Sequence, residues 1–469
     1  MNTLSLDPNL QAAFGTLRRG YADERFPSLK TRVDRLTRLR ALLVENETAL
    51  CAALSADFGY RSADQSSFAE ITTTIKSVNY ALKNLKFWMQ ASRRSPDFSL
   101  WLSGAKTSTQ AFPKGVVGIV SPWNFPINLA LSPLVSVLAA GNRALIKPSE
   151  FTPASSALLG ELIAKYFADT EVAVVCGEAA LAQQFVTLPF DHLIYTGGET
   201  VARHIMAAAA VNLVPLTLEL GGKSPVIVSE SANLKKTAQR IAFGKYFNAG
   251  QICIAPDYLM IAADRLEEFL NCLGEAVAAM NANAGSVDSV TVINDRHRQR
   301  LAGLVADSAA QGARVVSFGD DIGEHAYQLN IVIDAPANTK ICSEEIFGPL
   351  LLIKTIGNLD EQLSEIRRGG HPLVIYYFGS DDREFKAIAE QTCSGALVKN
   401  DVIFQYANDD LPFGGVGRSG MGKYRGLDGF NEFSHTRAIF KSGWLDISGW
   451  VTPPYTPQFR ILNKIMRKI

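Results

Sequence analysis

Residues 114–147 read KGVVGIVSPWNFPINLALSPLVSVLAAGNRALIK, with no charged side chain between Lys114 and Arg143. A hydrocarbon core needs about 20 apolar residues in an unbroken run. Pro122, Pro126, Pro133, Asn124 and Asn128 interrupt this one, so a membrane span is not expected. The alternative is a strand over Val116–Val120, a polar turn, a buried helix near Ile127–Ala140 and a second strand from Ala144 to Ile146. Gly141 stands where a helix ends in a left-handed residue. Strand, helix and strand in this order predict a βαβ unit and a parallel sheet.

The pattern repeats downstream. His192–Tyr195, Pro225–Val228, Tyr258–Ile261, Leu351–Ile356 and Leu373–Phe378 are short apolar runs, separated by helical patterns such as Arg265–Met280 and Asp295–Ala310. The first ninety residues read as helices, with Leu36, Leu39, Leu42 and Leu43, then Val78, Leu82 and Leu85, at helical spacing. Residues 97–113 read as an extended excursion, because Phe98, Leu100 and Leu102 alternate before Gly104. The tail from Ser442 carries Trp444, Trp450, Pro453 and Pro454. A basic stretch follows, in which Arg460, Lys464, Arg467 and Lys468 alternate with Ile461, Leu462, Ile465 and Met466. A short helix docked on the body is expected there, with a membrane-surface helix as the alternative.

The chain has 469 residues, 47% hydrophobic and 20% charged, so it carries material for a large core and roughly three units. Lys plus Arg and Asp plus Glu both total 46, and this balance lacks the basic footprint of a nucleic-acid binder. Cysteines fall at 51, 176, 253, 272, 342 and 393, with no zinc-type spacing, so neither a metal set nor a disulfide scaffold is expected. Met1–Leu10 has no apolar run, and a reducing, cytoplasmic location is the expectation.

One glycine motif is a decoy. Gly415-Val416-Gly417-Arg418-Ser419-Gly420 fits GxGxxG, but it neither follows a strand-like run nor opens a helix. It is read as a loop. Six other segments carry more: SPWNFP (121–126), KPSE (147–150), TGGET (196–200), ELGGKSP (219–225), NAGQIC (248–253) and EEIFGP (344–349). Four follow a strand-like run, and ligands of open α/β sheets bind at carboxyl ends of strands. Singly, each has a plain structural reading: a lone Cys is usually buried and apolar, and Gly-Gly is usually a turn.

As a set, the six are those of NAD(P)-dependent aldehyde dehydrogenases, which this sequence resembles from its helical N-terminus through Phe433-Ser434-His435. The short N-terminus, the LPFGGVG segment (411–417) and Ala255-Pro256-Asp257-Tyr258 resemble the class 3 branch. Within it, residues 7–59 and Pro453-Pro454-Tyr455 are most similar to bacterial coniferyl aldehyde dehydrogenases. The resemblance implies an α/β fold with a Rossmann-type cofactor domain (1–96 and 114–218) and an α/β catalytic domain (219–410). It also implies a small β bridging or oligomerisation element (97–113 and 411–469).

It further implies site roles. Cys253 is the nucleophile, Glu219 the general base and Asn124 an oxyanion donor. Trp123, Lys147, Glu150, Gly197, Gly198, Leu220, Glu345 and Phe347 serve the cofactor. Lys147 and Glu150 hold the adenosine ribose, the two glycines lie by the pyrophosphate, and Glu345 binds the nicotinamide ribose. Glu150 favours NAD, since a carboxylate accepts from a ribose 2′-OH and repels a 2′-phosphate, with NADP as the alternative because the class 3 branch often uses both. The partners implied are an aldehyde substrate, aromatic or phenylpropenyl, with medium- or long-chain aliphatic aldehydes as alternatives, and a second copy in a homodimer.

The chemistry needs these groups. A thiolate makes the aldehyde carbon tetrahedral, oriented donors hold the oxyanion, and a carboxylate activates water against the resulting thioester. CoA-acylating relatives tend to lack the glutamate, so Glu219 points to a free acid product. A catalytically silent homologue is at odds with the intact Cys253, Glu219 and Asn124. Departures are Gly198 for a common Ser or Thr, Ala202 for Gly, Ile252 for Thr, Cys342-Ser343 for Met-Gln, and His371 for Arg.

Overall fold

The computed structural model describes residues 6–283, 288–319, 328–446, 449 and 452–467. The quoted stretch folds as its pattern predicts: strand Val116–Val120, helix Asn128–Ala139 and strand Arg143–Lys147. Every residue of that helix is buried, because helices pack on it from the other side and the sheet lies beneath. Gly141 ends it with φ 91°, and the Arg32 guanidinium donates to the Ala139 carbonyl at 2.9 Å, supplying the partner that a helix C-terminus lacks.

These two strands belong to a six-stranded sheet. Its spatial order is Gly420–Met421, Leu216–Leu220, His192–Gly197, Val116–Val120, Arg143–Lys147, Val172–Val174. The first pairing is antiparallel and the rest are parallel. Taken in chain order, the five parallel strands lie 3-2-1-4-5, the Rossmann order, with its switch point between Val116–Val120 and His192–Gly197. The decoy glycine motif closes this sheet's edge: Gly420 pairs with Glu219 and Met421 with Leu218.

A second sheet holds seven strands: Arg314–Phe318, Leu329–Ile333, Leu350–Thr355, Tyr258–Ile261, Pro225–Val228, Val374–Phe378 and Ala396–Lys399. Only the Arg314–Phe318 pairing is antiparallel. Ser92–Arg94, Lys106–Pro113 and Ser434–Lys441 form a third, antiparallel sheet. The N-terminal helices Leu29–Glu45 and Thr73–Trp88 bury Leu36, Leu39, Leu42, Leu43, Val78 and Leu85 against the helix Asn128–Ala139.

One expectation is corrected. Residues 98–102 are helical, not extended. Among the described residues no strand pairs with them to reward alternation, and an i,i+3 pair decides instead: the Phe98 and Trp101 rings stack at 6.0 Å. In the tail the helix Pro457–Met466 forms; the side chains of Leu462, Ile465 and Met466, on which docking would rest, lie outside the described ones. Trp450 and Lys468 lie outside the described residues. No described helix is long and apolar enough to cross a membrane.

Candidate active site

Cys253 sits in a loop that only a specific set of partners can hold. After helix Leu234–Tyr246 the backbone takes three successive left-handed residues, Asn248 (φ 49°), Ala249 (φ 52°) and Gly250 (φ 67°). A non-glycine residue in that region costs roughly 1–2 kcal/mol. At Gly250 a Cβ would stand 2.5 Å from the Gly348 carbonyl oxygen, so no larger residue fits. The side chains that offset this strain come from far away. The Asn248 N–H donates to Gln65 Oε1 at 2.5 Å, and Asn248 Nδ2 donates to the Asn124 carbonyl at 3.0 Å. Gln251, fully buried, donates through Nε2 to Thr291 at 3.1 Å and accepts the Ile293 N–H at 2.9 Å.

Two of the residues named from the sequence, Asn124 and Glu219, face this loop. Asn124 follows strand Val116–Val120 and donates its side-chain amide to the Gln251 carbonyl at 3.0 Å. Glu219 lies near the carboxyl end of Leu216–Leu220, is 3% exposed, and neither carboxylate oxygen has a hydrogen-bond partner among the described residues. Burial first, then the negative charge of Glu432, raises its pKa well above the ordinary carboxylate range. The half-buried Cys253 thiol is also pushed up, by burial and then by the charges of Glu345 and Glu219. The N–H groups of Cys253 and Ile254 act in the opposite sense. Burial thus favours the neutral form of both groups.

The segment 344–349 comes from the second sheet. Glu345 presses its carboxylate on Gly221, where any Cβ would overlap it, and its pKa is raised to about 7 by burial and then by Asp257. Phe347 has φ 47° and meets Trp123 edge-on at 5.3 Å. Cations fix this turn. Lys223 donates to the Glu344 carbonyl at 2.9 Å and pairs with Asp257 at 2.5 Å, and Arg300 donates to the Glu345 and Ile346 carbonyls at 3.1 and 2.5 Å.

The remaining residues line the carboxyl edge of the first sheet. Lys147, 1% exposed, donates to the Pro148 carbonyl at 2.7 Å and lies 3.5 Å from Glu150 Oε2. Gly197 leaves room for the Tyr195 ring. Gly198 precedes helix Glu199–Ala210, makes no side-chain cap, and faces open space where a side chain would stand. Uncapped N–H groups beside an open position fit a pyrophosphate. Leu220 buries its side chain in the core and leads the backbone into Gly221.

The two sheets thus meet at unlike ends. Asn124, Lys147, Gly197 and Glu219 sit at or just beyond carboxyl ends of the first, while Cys253 and Glu345 precede the amino ends of Tyr258–Ile261 and Leu350–Thr355 in the second. Sequence reading missed His297, whose ring lies 5.0 Å from Trp123. Neither of its nitrogens has a partner among the described residues, and burial, then Arg300 and Arg296, lower its pKa to about 4. A lone histidine in helix Asp295–Ala310 gives no signal in sequence.

An apolar cleft reaches Cys253. Phe68, Phe125, Phe243, Phe247, Phe404 and Phe413 line it, with Ile252, Leu129 and Tyr406. Phe243 stacks on Phe247 at 5.4 Å and on Phe404 at 5.5 Å.

Comparison with known proteins agrees with this arrangement. The chain matches the aldehyde dehydrogenase family over residues 11–439. It is 43% identical over 437 residues to the coniferyl aldehyde dehydrogenase of a Pseudomonas species, covering 92% of this chain and 90% of that one. It is 36% identical over 459 residues to the rat aldehyde dehydrogenase family 3 member B1, covering 96% of each. The solved structure of Staphylococcus aureus AldH in a substrate-bound state superposes with a TM-score of 0.91 at 33% identity, covering 97% of this chain and 99% of that one. With the Rossmann-order sheet, the second α/β sheet and these matches together, the chain belongs to the aldehyde dehydrogenase family of oxidoreductases.

Proposed function

We propose that this enzyme oxidises an aromatic aldehyde of the phenylpropenyl class to the free carboxylic acid, with NAD as acceptor. The observation that carries the substrate class is the aromatic-lined cleft ending on Cys253. Flat rings in the walls favour a flat, apolar substrate through stacked and edge-on contacts. The similarity to a coniferyl aldehyde dehydrogenase supports the same class.

In this reading Cys253 adds to the aldehyde carbon as the thiolate, its proton having passed to solvent, so Glu219 stays free to act on water. The Asn124 amide and the Cys253 N–H hold the oxyanion of the thiohemiacetal; such a donor contributes about 3–4 kcal/mol. The nicotinamide would supply the hydride acceptor that lets the Cys253 thiohemiacetal become a thioester. Glu219 then deprotonates the water that releases the acid. Lys147 and Glu150 hold the adenosine ribose, Gly197 and Gly198 the pyrophosphate and Glu345 the nicotinamide ribose. Trp123 and Phe347 pack by the nicotinamide, and Leu220 offers its backbone. The six-stranded sheet serves the cofactor, the seven-stranded sheet catalysis, and the three-stranded sheet a homodimer contact. The exposed Phe98, Trp101, Phe440 and Trp444 around that last sheet support the dimer.

The test is product analysis with purified enzyme and NAD over coniferyl, benzoic and linear aldehydes. The expectation is a kcat/KM for coniferyl aldehyde at least about tenfold above hexanal, the ratio that ~1.4 kcal/mol of ring contact gives. Phe247→Ala should reduce that ratio. Preference for a long linear aldehyde overturns the substrate class, and acyl-CoA in place of free acid overturns the hydrolytic step.

Cofactor choice gives a separate prediction. Glu150→Gln removes the charge that repels a 2′-phosphate, so kcat/KM with NADP should rise about tenfold relative to NAD. Initial rates with each cofactor measure it, and an unchanged ratio removes Glu150 from the cofactor site.

A further inference from the structure

Beneath the turn that carries Asn124 lies an ion pair with no part in the chemistry above. Arg61 Nη1 stands 2.8 Å from Glu70 Oε1, and both side chains are wholly buried. The guanidinium is held between the Phe58 and Phe125 rings, 4.7 and 5.2 Å from their centroids. A buried ion pair is a poor stabiliser compared with apolar residues of the same volume. Its contacts point to another task.

Arg61 Nη1 donates to the Asn124 carbonyl at 3.3 Å, the same oxygen that receives Asn248 Nδ2 at 3.0 Å. Glu70 Oε2 accepts the N–H groups of Ile127 at 3.1 Å and Asn128 at 2.7 Å, at the start of helix Asn128–Ala139. Glu70 itself is set in a π-helical turn, Ser67–Thr72, a distortion often found at functional sites. Gln65, between the two in sequence, accepts the Asn248 N–H. One segment thus grips the Asn124 turn in its middle and at its exit, and grips the cysteine loop as well.

We infer that Arg61 and Glu70 are positioning residues that fix the Asn124 amide against the oxyanion. The inference rests on the reading of Asn124 as an oxyanion donor. Such a donor works only within about 2.7–3.1 Å of the oxygen, and a 1 Å misplacement can lower a rate about 10²-fold. Arg61→Lys keeps the charge and loses the planar guanidinium that the Phe58 and Phe125 rings hold in place, so Nη1 no longer sits within reach of Glu70 and the Asn124 carbonyl.

The experiment is a double-mutant cycle on the NADH burst rate at saturating aldehyde and NAD, with KM for NAD measured alongside. Arg61→Lys should lower the burst about 10–100-fold and leave KM for NAD within about twofold. In an Asn124→Ala background the same substitution should change the burst by less than about twofold, because the donor it positions is gone. Arg61→Met/Glu70→Gln leaves no unpaired buried charge and serves if Arg61→Lys does not fold; the same non-additivity is expected of it. Equal losses in both backgrounds, an unchanged burst, or KM for NAD rising in step overturns the inference. If Asn124→Ala alone leaves the burst at the wild-type rate, the oxyanion reading fails, and the inference fails with it for that distinct reason.

Discussion

Cys253→Ala should lower aldehyde-dependent NADH formation by about four to six orders of magnitude, the range seen when a covalent enzyme loses its nucleophile. Among the described residues no other cysteine lines the apolar cleft that reaches Cys253. Among the other cysteines, Cys51 is buried and donates to the Ala63 carbonyl, while Cys176 and Cys393 are exposed elsewhere. The substitution removes one half-buried sulfur, so the fold should survive with a stability change below about 1 kcal/mol. NAD binding, followed by fluorescence quenching, should persist. The thiol's raised pKa adds a pH signature. With no aldehyde present, alkylation of Cys253 by iodoacetamide should be slow at pH 7 and rise with pH, since the thiolate is the reactive form. Turnover by Cys253→Ala within tenfold of the parent enzyme would sink the nucleophile assignment.

Glu219→Gln separates the two halves of the reaction. Its steady-state rate should fall about 10²–10⁴-fold, the usual contribution of a positioned general base. A first NADH per site should still form in a burst, because the thioester accumulates when water is no longer activated. The parent enzyme's kcat should rise with pH as Glu219 loses its proton through its raised pKa, and the variant's should be flat in that range. Stability carries the same sign. Between the unfolded pKa of about 4.3 and the raised folded value, the folded chain binds more protons than the unfolded one. Its stability therefore falls as pH rises through that window. Glu219→Gln removes the effect, so the variant's melting temperature should exceed the parent's by a gap that widens from pH 5 upward. A single slow phase with no burst would move Glu219 out of the hydrolytic step.

How much of this was legible without coordinates follows from the range of the forces involved. Strand Val116–Val120 and the helix after the Pro-Trp-Asn-Phe-Pro turn are local matters: β-branched residues, two prolines and Gly141 punctuate them. Residues 98–102 depart from their alternating pattern because alternation signals a strand only where a neighbouring strand and a covered face exist, and here the aromatic i,i+3 pair has no such competitor. The tail helix Pro457–Met466 was legible from its amphipathic pattern. Cys253, Glu219 and Asn124 were nameable through family motifs, each a short local string. His297, Gln65, Arg61 and Glu70 were not. Their contacts span long separations, such as 63 residues from Arg61 to Asn124 and 183 from Gln65 to Asn248.

By itself, then, the sequence determined the α/β alternation, the turns and the residue types able to do the chemistry, because apolar periodicity and turn residues act over a few positions. Only the tertiary structure decided that the carboxyl ends of one sheet face the amino ends of another. It also decided that three left-handed residues could hold Cys253 there, and that a buried ion pair lies under Asn124. Those outcomes depend on which distant surfaces pack together, and on burial that moves Glu219 and Cys253 away from their ordinary pKa values, neither of which any local run of residues encodes.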